Sequence, residues 1–201
     1  MKVLWDVDTQ VDFVHADGKL AVPDAEAAVP SMQRLVDAAR AAGIAHVASA
    51  DDHELTDGEI SEEPDFSTTY PPHCLRGTRG AEKIAETAQA DPVPLALTEV
   101  PEKWLRGREF LLLKKSFDVF TNPNADRLLA HLEPEEIVLF GVATDVCNDA
   151  AIRGLAGRSR RVTFVEEASR GLDAARTAAC TAAWRELGVR FATVDQVLAE
   201  L

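Results

Sequence analysis

The chain lacks the features that mark several large classes of protein. Its 201 residues include only 3 cysteines, and no apolar run approaches the ~20 residues that a membrane-spanning helix needs. Basic residues are also scarce, because 21 lysines and arginines stand against 34 aspartates and glutamates, for a formal net charge of -13. A surface this acidic repels phosphate backbones and anionic lipids, which argues against nucleic-acid and membrane partners.

The cysteines are odd in number and far apart, at Cys74, Cys147 and Cys180. The opening MKVLWDVDTQ reaches an acidic residue at Asp6 and does not resemble a secretory signal. We therefore expect a cytoplasmic protein without a disulfide framework.

What the sequence does contain is a repeated alternation of apolar runs and amphipathic segments. It predicts strands over residues 2–8, 44–50, 109–115, 135–142, 160–168 and 189–194. Helices are predicted over residues 25–43, 81–89, 124–132, 144–157 and 173–188. The alternation is typical of an α/β fold, here a three-layer α/β/α arrangement with a mainly parallel six-stranded sheet. We expect one domain spanning 1–201.

One segment, at about 51–80, shows neither helical nor strand periodicity and is rich in acidic residues, threonine, proline and glycine. Irregular segments this long in compact domains are often functional. We refer to residues 51–80 as the excursion.

Reactive side chains follow four of the predicted strands. They are Asp8, the triplet 51–53 with its Asp-x-His spacing, the Lys114-Lys115 pair and the segment GVATDVC at 141–147. The carboxyl ends of parallel strands meet at one edge of a sheet, where active sites of such folds lie. The sequence therefore predicts that these groups converge.

Cys147 is expected in the first turn of a helix capped by Thr144 or Asp145. Free backbone N–H groups and the helix dipole at that position favour a thiolate nucleophile. A buried apolar cysteine packed against the sheet is the alternative interpretation.

A carboxylate near the thiol could take its proton and return it later. Asp8 fits this role, and Asp6, on the same strand, competes for it. Lys114 or Lys115 could lower the thiol pKa, but strand alternation allows only one of them to point into the site.

Asp51, His53 and His73 form a candidate metal-ligating set on the two sides of the excursion. One carboxylate and two imidazoles suit a divalent transition metal, either zinc, iron or manganese. Glu62 or Glu63 could supply a further contact.

Taken together, these motifs resemble the isochorismatase-like cysteine hydrolases, and within them the nicotinamidase/pyrazinamidase branch. DTQVDF at 8–13 and GVATDVCNDAAIRG at 141–154 are similar to the family's opening and nucleophile segments. DDH at 51–53 and YPPHCLRGTRGA at 70–81 look like the metal-binding half of the branch.

The resemblance implies catalytic roles for three residues. Asp8 becomes the general acid and base, Cys147 the nucleophile and Lys114 the catalytic lysine, selected over Lys115 by its spacing from Phe120. It also implies that Asp51, His53 and His73 bind the metal.

The resemblance further implies how a substrate is held. Phe13 and Tyr70 fall where the family uses aromatic rings to sandwich a flat ring. Backbone N–H groups of Ala143 and Cys147 would form the oxyanion hole, with a cis peptide between Val142 and Ala143.

The expected function is hydrolysis of a small planar amide, nicotinamide to nicotinate and ammonia, through a cysteine thioester. Two alternatives stay open: a sister hydrolase acting on a ureido, carbamoyl or isochorismate-type substrate, and a non-catalytic metabolite-binding protein. Because α/β domains of this kind commonly associate, we expect a homo-oligomer, with a small-molecule amide substrate as its other partner.

Overall fold

The computed structural model describes residues 1–201, and its centre is a sheet of seven strands paired in parallel. The strands are β1 (Lys2–Val7), β2 (Ala45–Asp51), β3 (Val93–Leu95), β4 (Glu109–Lys114), β5 (Glu136–Val142), β6 (Arg161–Arg170) and β7 (Arg190–Ala192). Across the sheet they lie in the order β3-β4-β2-β1-β5-β6-β7. The expected parallel sheet is confirmed, with one strand more than predicted.

Helices cover both faces of this sheet. They are α1 (Val11–Val14), α2 (Ala25–Ala41), α3 (Pro123–Leu132), α4 (Cys147–Gly157), α5 (Ala174–Glu186) and α6 (Val194–Glu200). Apolar residues of α1, α2 and α6 share one core layer with Leu4 and Phe140, and those of α3, α4 and α5 share the other with Trp5 and Phe110. The three-layer α/β/α prediction is therefore confirmed. No helix has both the length and the apolar character to cross a membrane.

The strand that the sequence did not predict is β3. It has three residues, pairs only with β4 and contains Pro94. Proline has no N–H to donate, so it is tolerated at the edge of a sheet but not within it. Three residues are also too few to show an alternating pattern.

The predicted helix over residues 81–89 is wrong. Only a 3₁₀ turn at Arg79–Ala81 forms there. The Val11 N–H donates to the carbonyl of Glu82 at 2.9 Å, and the Ile84 N–H donates to the carbonyl of Thr9 at 3.0 Å. The segment thus pairs with the chain that leaves β1 and closes only one isolated α-helical hydrogen bond, from the Ala88 N–H to the Ile84 carbonyl at 3.0 Å.

The excursion folds back on itself without a regular strand. Single backbone pairings join His53 to Leu75 and Ile60 to Tyr70. The first of these pairings holds the two sides of the excursion together directly beyond the end of β2.

The strand order reverses at β1: β2 to β4 lie on one side of it, and β5 to β7 lie on the other. Ligands of open α/β sheets bind beyond the strand ends at such a point. β2 and β4 are in register so that Asp51 lies opposite Lys114. The ends of β1, β2, β4 and β5 thus form one rim.

A substitution at Gly141 tests how closely the backbone of β5 approaches that of β1 beside this rim. Its φ is +129°, and an added Cβ would lie 2.1 Å from the Val7 carbonyl oxygen. We expect Gly141→Ala to lower the free energy of unfolding by about 2 kcal/mol or more, because backbone cannot move aside.

Gly157→Ala is the matched control, since nothing lies within 4 Å of an added Cβ there. At the end of α4 the change should leave stability unaltered or raise it by up to about 1 kcal/mol. Urea unfolding of both variants measures the difference, and equal midpoints would contradict the close approach of β5 to β1.

Candidate active site

Asp8 is the first residue after β1, and its φ of 50° turns the chain as the strand ends. Its carboxylate is fully buried and accepts a hydrogen bond from Ser49 Oγ at 2.7 Å. The other carboxylate oxygen lies 2.9 Å from Lys114 Nζ. Because Ser49 and Lys114 belong to neighbouring strands β2 and β4, the sheet itself positions both partners of Asp8.

Asp6, the competing carboxylate, belongs to a separate buried network. It pairs with Lys83 Nζ at 2.8 Å and accepts a hydrogen bond from Thr9 Oγ1, also at 2.8 Å. These contacts neutralise its charge away from the thiol. Asp8 is therefore the carboxylate that lies with Cys147.

The two lysines at the end of β4 have different partners, as strand alternation requires. Lys114 is fully buried, and its Nζ contacts the carboxylate of Asp51 as well as that of Asp8. The same Nζ lies 3.6 Å from Cys147 Sγ. Lys115 instead pairs with Asp57 at 2.7 Å. Only Lys114 contacts the thiol.

Cys147 is the first residue of α4, but no side chain caps the helix. Val146 occupies the capping position, so the predicted cap by Thr144 or Asp145 is wrong. The Asp145 carboxylate instead accepts the N–H of Leu172 at 2.7 Å. The helix start is therefore fixed through the neighbouring 171–173 turn.

Two backbone N–H groups beside the thiol are available to a ligand. The peptide between Val142 and Ala143 is cis. The N–H groups of Ala143 and Cys147 donate to no other group of the chain, and both residues line a pocket. They could therefore donate to an oxyanion formed next to the sulfur.

Burial dominates the protonation of the thiol and its neighbours. It raises the pKa of Cys147 well above the ordinary value, and the opposing attraction of Lys114 does not overcome it. Burial also raises the pKa of Asp8, against the effect of Lys114. For Lys114 itself, burial would lower the pKa, but Asp51 and Asp8 outweigh it and hold the pKa well above the usual range.

Lys114 does lower the thiol pKa, as expected from the sequence. Desolvation of the sulfur exceeds this effect, so the net shift is upward. The resting site holds a neutral thiol beside a charged ammonium, so a base has to remove the proton before the sulfur can attack.

Four buried side chains converge next to this group: Asp51, His53, Glu59 and His73. Their donor atoms all lie within 4.8 Å of one another. Asp51 Oδ2, His53 Nε2 and Glu59 Oε2 are buried without a hydrogen-bond partner, and each such atom costs about 1–3 kcal/mol. Two imidazoles and two carboxylates with free donor atoms fit a divalent transition metal.

The imidazoles are oriented from outside the cluster. His73 Nδ1 lies 2.7 Å from the carbonyl oxygen of Pro71, so this nitrogen carries the proton. His53 Nδ1 lies 3.4 Å from Asp57 Oδ2. The Nε2 atoms of both rings then face Asp51 Oδ2, at 3.7 Å for His53 and 3.6 Å for His73. Such outer contacts fix the tautomer of a metal-ligating histidine.

The fourth candidate ligand is Glu59, not Glu62 or Glu63. Both of the latter are exposed, whereas Glu59 is buried and lies 4.0 Å from His73 Nε2. Sequence reasoning missed it because all three glutamates share one irregular loop. The Tyr70 N–H donates to the Glu59 carbonyl at 2.8 Å and brings this part of the loop beside the cluster.

A narrow pocket is lined by Cys147 and by three of the candidate metal ligands, Asp51, Glu59 and His73. Its walls include Phe13, Leu20, Val22, Tyr70, Val146 and Leu172. The two aromatic rings expected to contact a substrate thus line it, and the Phe13 ring lies 5.2 Å from that of His73. The structure brings together the residues to which the family resemblance gave roles: Asp8, Phe13, Asp51, His53, Tyr70, His73, Lys114, Ala143 and Cys147.

Comparisons with known proteins show the family to which the chain is similar. The model of the Isochorismatase domain matches residues 3–196. The chain is 31% identical to a nicotinamidase/pyrazinamidase of Mycobacterium tuberculosis over 167 residues, or 79% of this chain and 83% of the relative.

Solved structures share the fold at low identity. Pyrazinamidase of Pyrococcus horikoshii, solved in complex with zinc, has a TM-score of 0.75 at 19% identity, covering 96% of this chain and 98% of that one. N-carbamoylsarcosine amidase of Thermoplasma acidophilum also has a TM-score of 0.75, at 24% identity and with 96% of each chain covered.

Glu59→Gln tests the acidic ligand set. Loss of one anionic donor should weaken zinc binding by about 10- to 100-fold, measured by competition with a chromophoric chelator. Glu62→Gln, which changes the same charge on the exposed loop, should leave the affinity unaltered. Equal affinities of the two variants would remove Glu59 from the set.

Lys114→Gln should destabilise the fold, because it leaves two buried carboxylates unpaired. We expect the free energy of unfolding to fall by about 3–5 kcal/mol. Lys115→Gln removes only a partly exposed ion pair and should cost under about 1 kcal/mol. Urea unfolding at one fixed zinc concentration compares them, and similar losses would contradict the central place of Lys114.

Proposed function

The chain belongs to the isochorismatase family, and from that premise we propose that it is a metal-dependent amidase that hydrolyses nicotinamide or a similar small planar carboxamide. The observation that supports this most is that the Cys147 thiol and the buried Asp51, Glu59 and His73 side chains line the same narrow pocket. A nucleophile and an anchoring group would then act on opposite ends of one small substrate.

In this proposal Asp8 removes the Cys147 proton as the sulfur attacks. A neutral resting thiol requires a base, and donor atoms of Asp8 and Cys147 lie within 4.8 Å. The raised pKa of Asp8 suits a group that must keep the proton until the leaving nitrogen needs it. Lys114 stabilises the sulfur while it carries negative charge.

The sulfur forms a bond to the carboxamide carbon, and the carbonyl oxygen becomes an oxyanion held by the Ala143 and Cys147 N–H groups. Collapse of this intermediate breaks the C–N bond, and ammonia leaves with the proton from Asp8. Asp8 then takes a proton from the water that attacks the thioester. The C–S bond breaks, the sulfur regains a proton, and the carboxylic acid is released as nicotinate.

The metal-ligating set of Asp51, His53, Glu59 and His73 would hold zinc, or else iron or manganese. A bound ion supplies a Lewis-acid anchor for a heteroaromatic nitrogen. Phe13 and Tyr70 would cover the two sides of the substrate ring and keep water from it.

Charge in the pocket favours a neutral amide over a ureido acid. Lys114 is already paired with Asp8 and Asp51. Arg176, the other nearby cation, pairs with Asp145 at 3.0 Å. A substrate carboxylate would have to compete with these internal anions.

Ammonia release from nicotinamide tests the proposal. Cys147→Ala should reduce kcat by at least about 10³-fold, since it removes the nucleophile. Cys180→Ala, at a half-buried cysteine on α5, should keep normal turnover. Treatment with a chelator should also abolish turnover, and added zinc should restore it.

Full activity of Cys147→Ala would contradict the covalent mechanism. Failure of the wild-type protein to hydrolyse nicotinamide, with zinc bound and Cys147 still open to alkylation, would contradict the assigned substrate. Ureido and carbamoyl amides would then be assayed next.

A further inference from the structure

Two irregular segments line the part of the pocket around Tyr70 and Leu172, which we call its mouth. One is the tip of the excursion, residues 61–70, which brings Tyr70 to the pocket wall. The other is the 171–173 turn before α5, which brings Leu172 to the lining. Both segments therefore contribute walls to the pocket.

Asp145 fixes the 171–173 turn. Its side chain has no solvent exposure, and its carboxylate accepts the N–H groups of Leu172 at 2.7 Å and Asp173 at 3.1 Å. Arg176 Nε lies 3.0 Å from the same carboxylate. This side of the mouth is thus tied to a residue two positions before the nucleophile.

Arg176 also contacts the opposite side. Its Nη1 donates to the carbonyl oxygen of Phe66 at 3.2 Å. The Phe66 ring lies against Tyr70, with ring centroids 6.3 Å apart and planes at 87°. One guanidinium therefore connects the buried Asp145 to the segment that carries a pocket wall.

The tip of the excursion is ordered by its own contacts. The Asp65 carboxylate accepts the N–H groups of Ser67, Thr68 and Thr69 at 2.7–2.9 Å. The bond from Arg176 to Phe66 is the only hydrogen bond that joins residues 61–69 to the chain outside the excursion. The tip is thus ordered within the excursion, and a single exposed contact, from Arg176, holds it to the rest of the chain.

We propose that Arg176 is a specificity-determining residue that holds the excursion tip over the pocket and so limits entry to small, flat amides. This rests on the proposed function for the identity of the substrate, but not for the closure itself. Arg176 acts through Phe66 and Tyr70 and takes no part in the chemistry.

Alkylation of Cys147 measures the closure without any amide turnover. The rate with a bulky reagent, N-phenylmaleimide, is divided by the rate with a small one, iodoacetamide, both followed by mass spectrometry of the Cys147 peptide. Arg176→Ala should raise this ratio by about fivefold, the change in open population expected from losing one exposed charge-assisted contact.

Two further variants distinguish loss of the Arg176 contacts from the general effect of removing an arginine. Arg153→Ala removes an arginine of α4 that pairs with Asp149, away from the pocket, and should leave the ratio unchanged. Arg176→Lys keeps the charge but cannot contact both Asp145 and Phe66, so it should resemble Arg176→Ala. For nicotinamide, Arg176→Ala should raise KM with little change in kcat.

An unchanged ratio in Arg176→Ala, or full recovery in Arg176→Lys, would overturn the proposal. An equal rise in Arg153→Ala would do the same. A raised ratio in a protein that does not hydrolyse nicotinamide would support the role of Arg176 while the assigned substrate fails.

Discussion

The ammonium of Lys114 is the charge on which the rim of the sheet depends. Asp8 and Asp51 both end buried strands, and in a low-dielectric interior two such carboxylates would repel each other without a cation between them. Asp51 directs one oxygen to Lys114 and the other toward the imidazoles of His53 and His73. The thiol chemistry and the metal-ligating set therefore share a single charge balance, and a change at either affects the other.

Two buried acids lie within and directly after β1, and each has its own lysine. Asp6 is neutralised by Lys83, from the segment that pairs with the chain beyond β1. Asp8 is neutralised by Lys114, from a strand of the same sheet. The Asp6–Lys83 pair holds a connecting segment against the sheet. Only the Asp8–Lys114 pair lies beside the thiol of Cys147. Asp6 and Asp8 are both completely buried, so burial does not distinguish them. What distinguishes them is the group with which each carboxylate pairs.

Much of this site could be predicted because it depends on strand ends. Asp8, Asp51, Lys114 and Cys147 follow apolar runs, and parallel pairing brings such ends together without knowledge of detail. Residues set by irregular backbone could not be predicted in the same way. Glu59, and not Glu62 or Glu63, lies in the metal-ligating set because the irregular loop pairs with itself at this point.

The remaining errors have similar causes. The segment at 81–89 pairs mainly with the chain beyond β1 and not with itself. β3 is too short, and contains a proline, so it shows no pattern. The thiol pKa depended on desolvation, which a sequence does not display.

The register of β2 and β4, with Asp51 opposite Lys114, makes the site sensitive to odd and even shifts of the sheet. If β4 shifted by one residue against β2, Lys115 would lie opposite Asp51, but its side chain would point to the other face of the sheet. A shift by two would restore the face but move the ammonium by about 6–7 Å, out of contact with the sulfur. No misaligned sheet retains a partly working centre. Measured activity would therefore come only from molecules with the native strand register. Molecules with a shifted register would be inactive and would not act on different substrates.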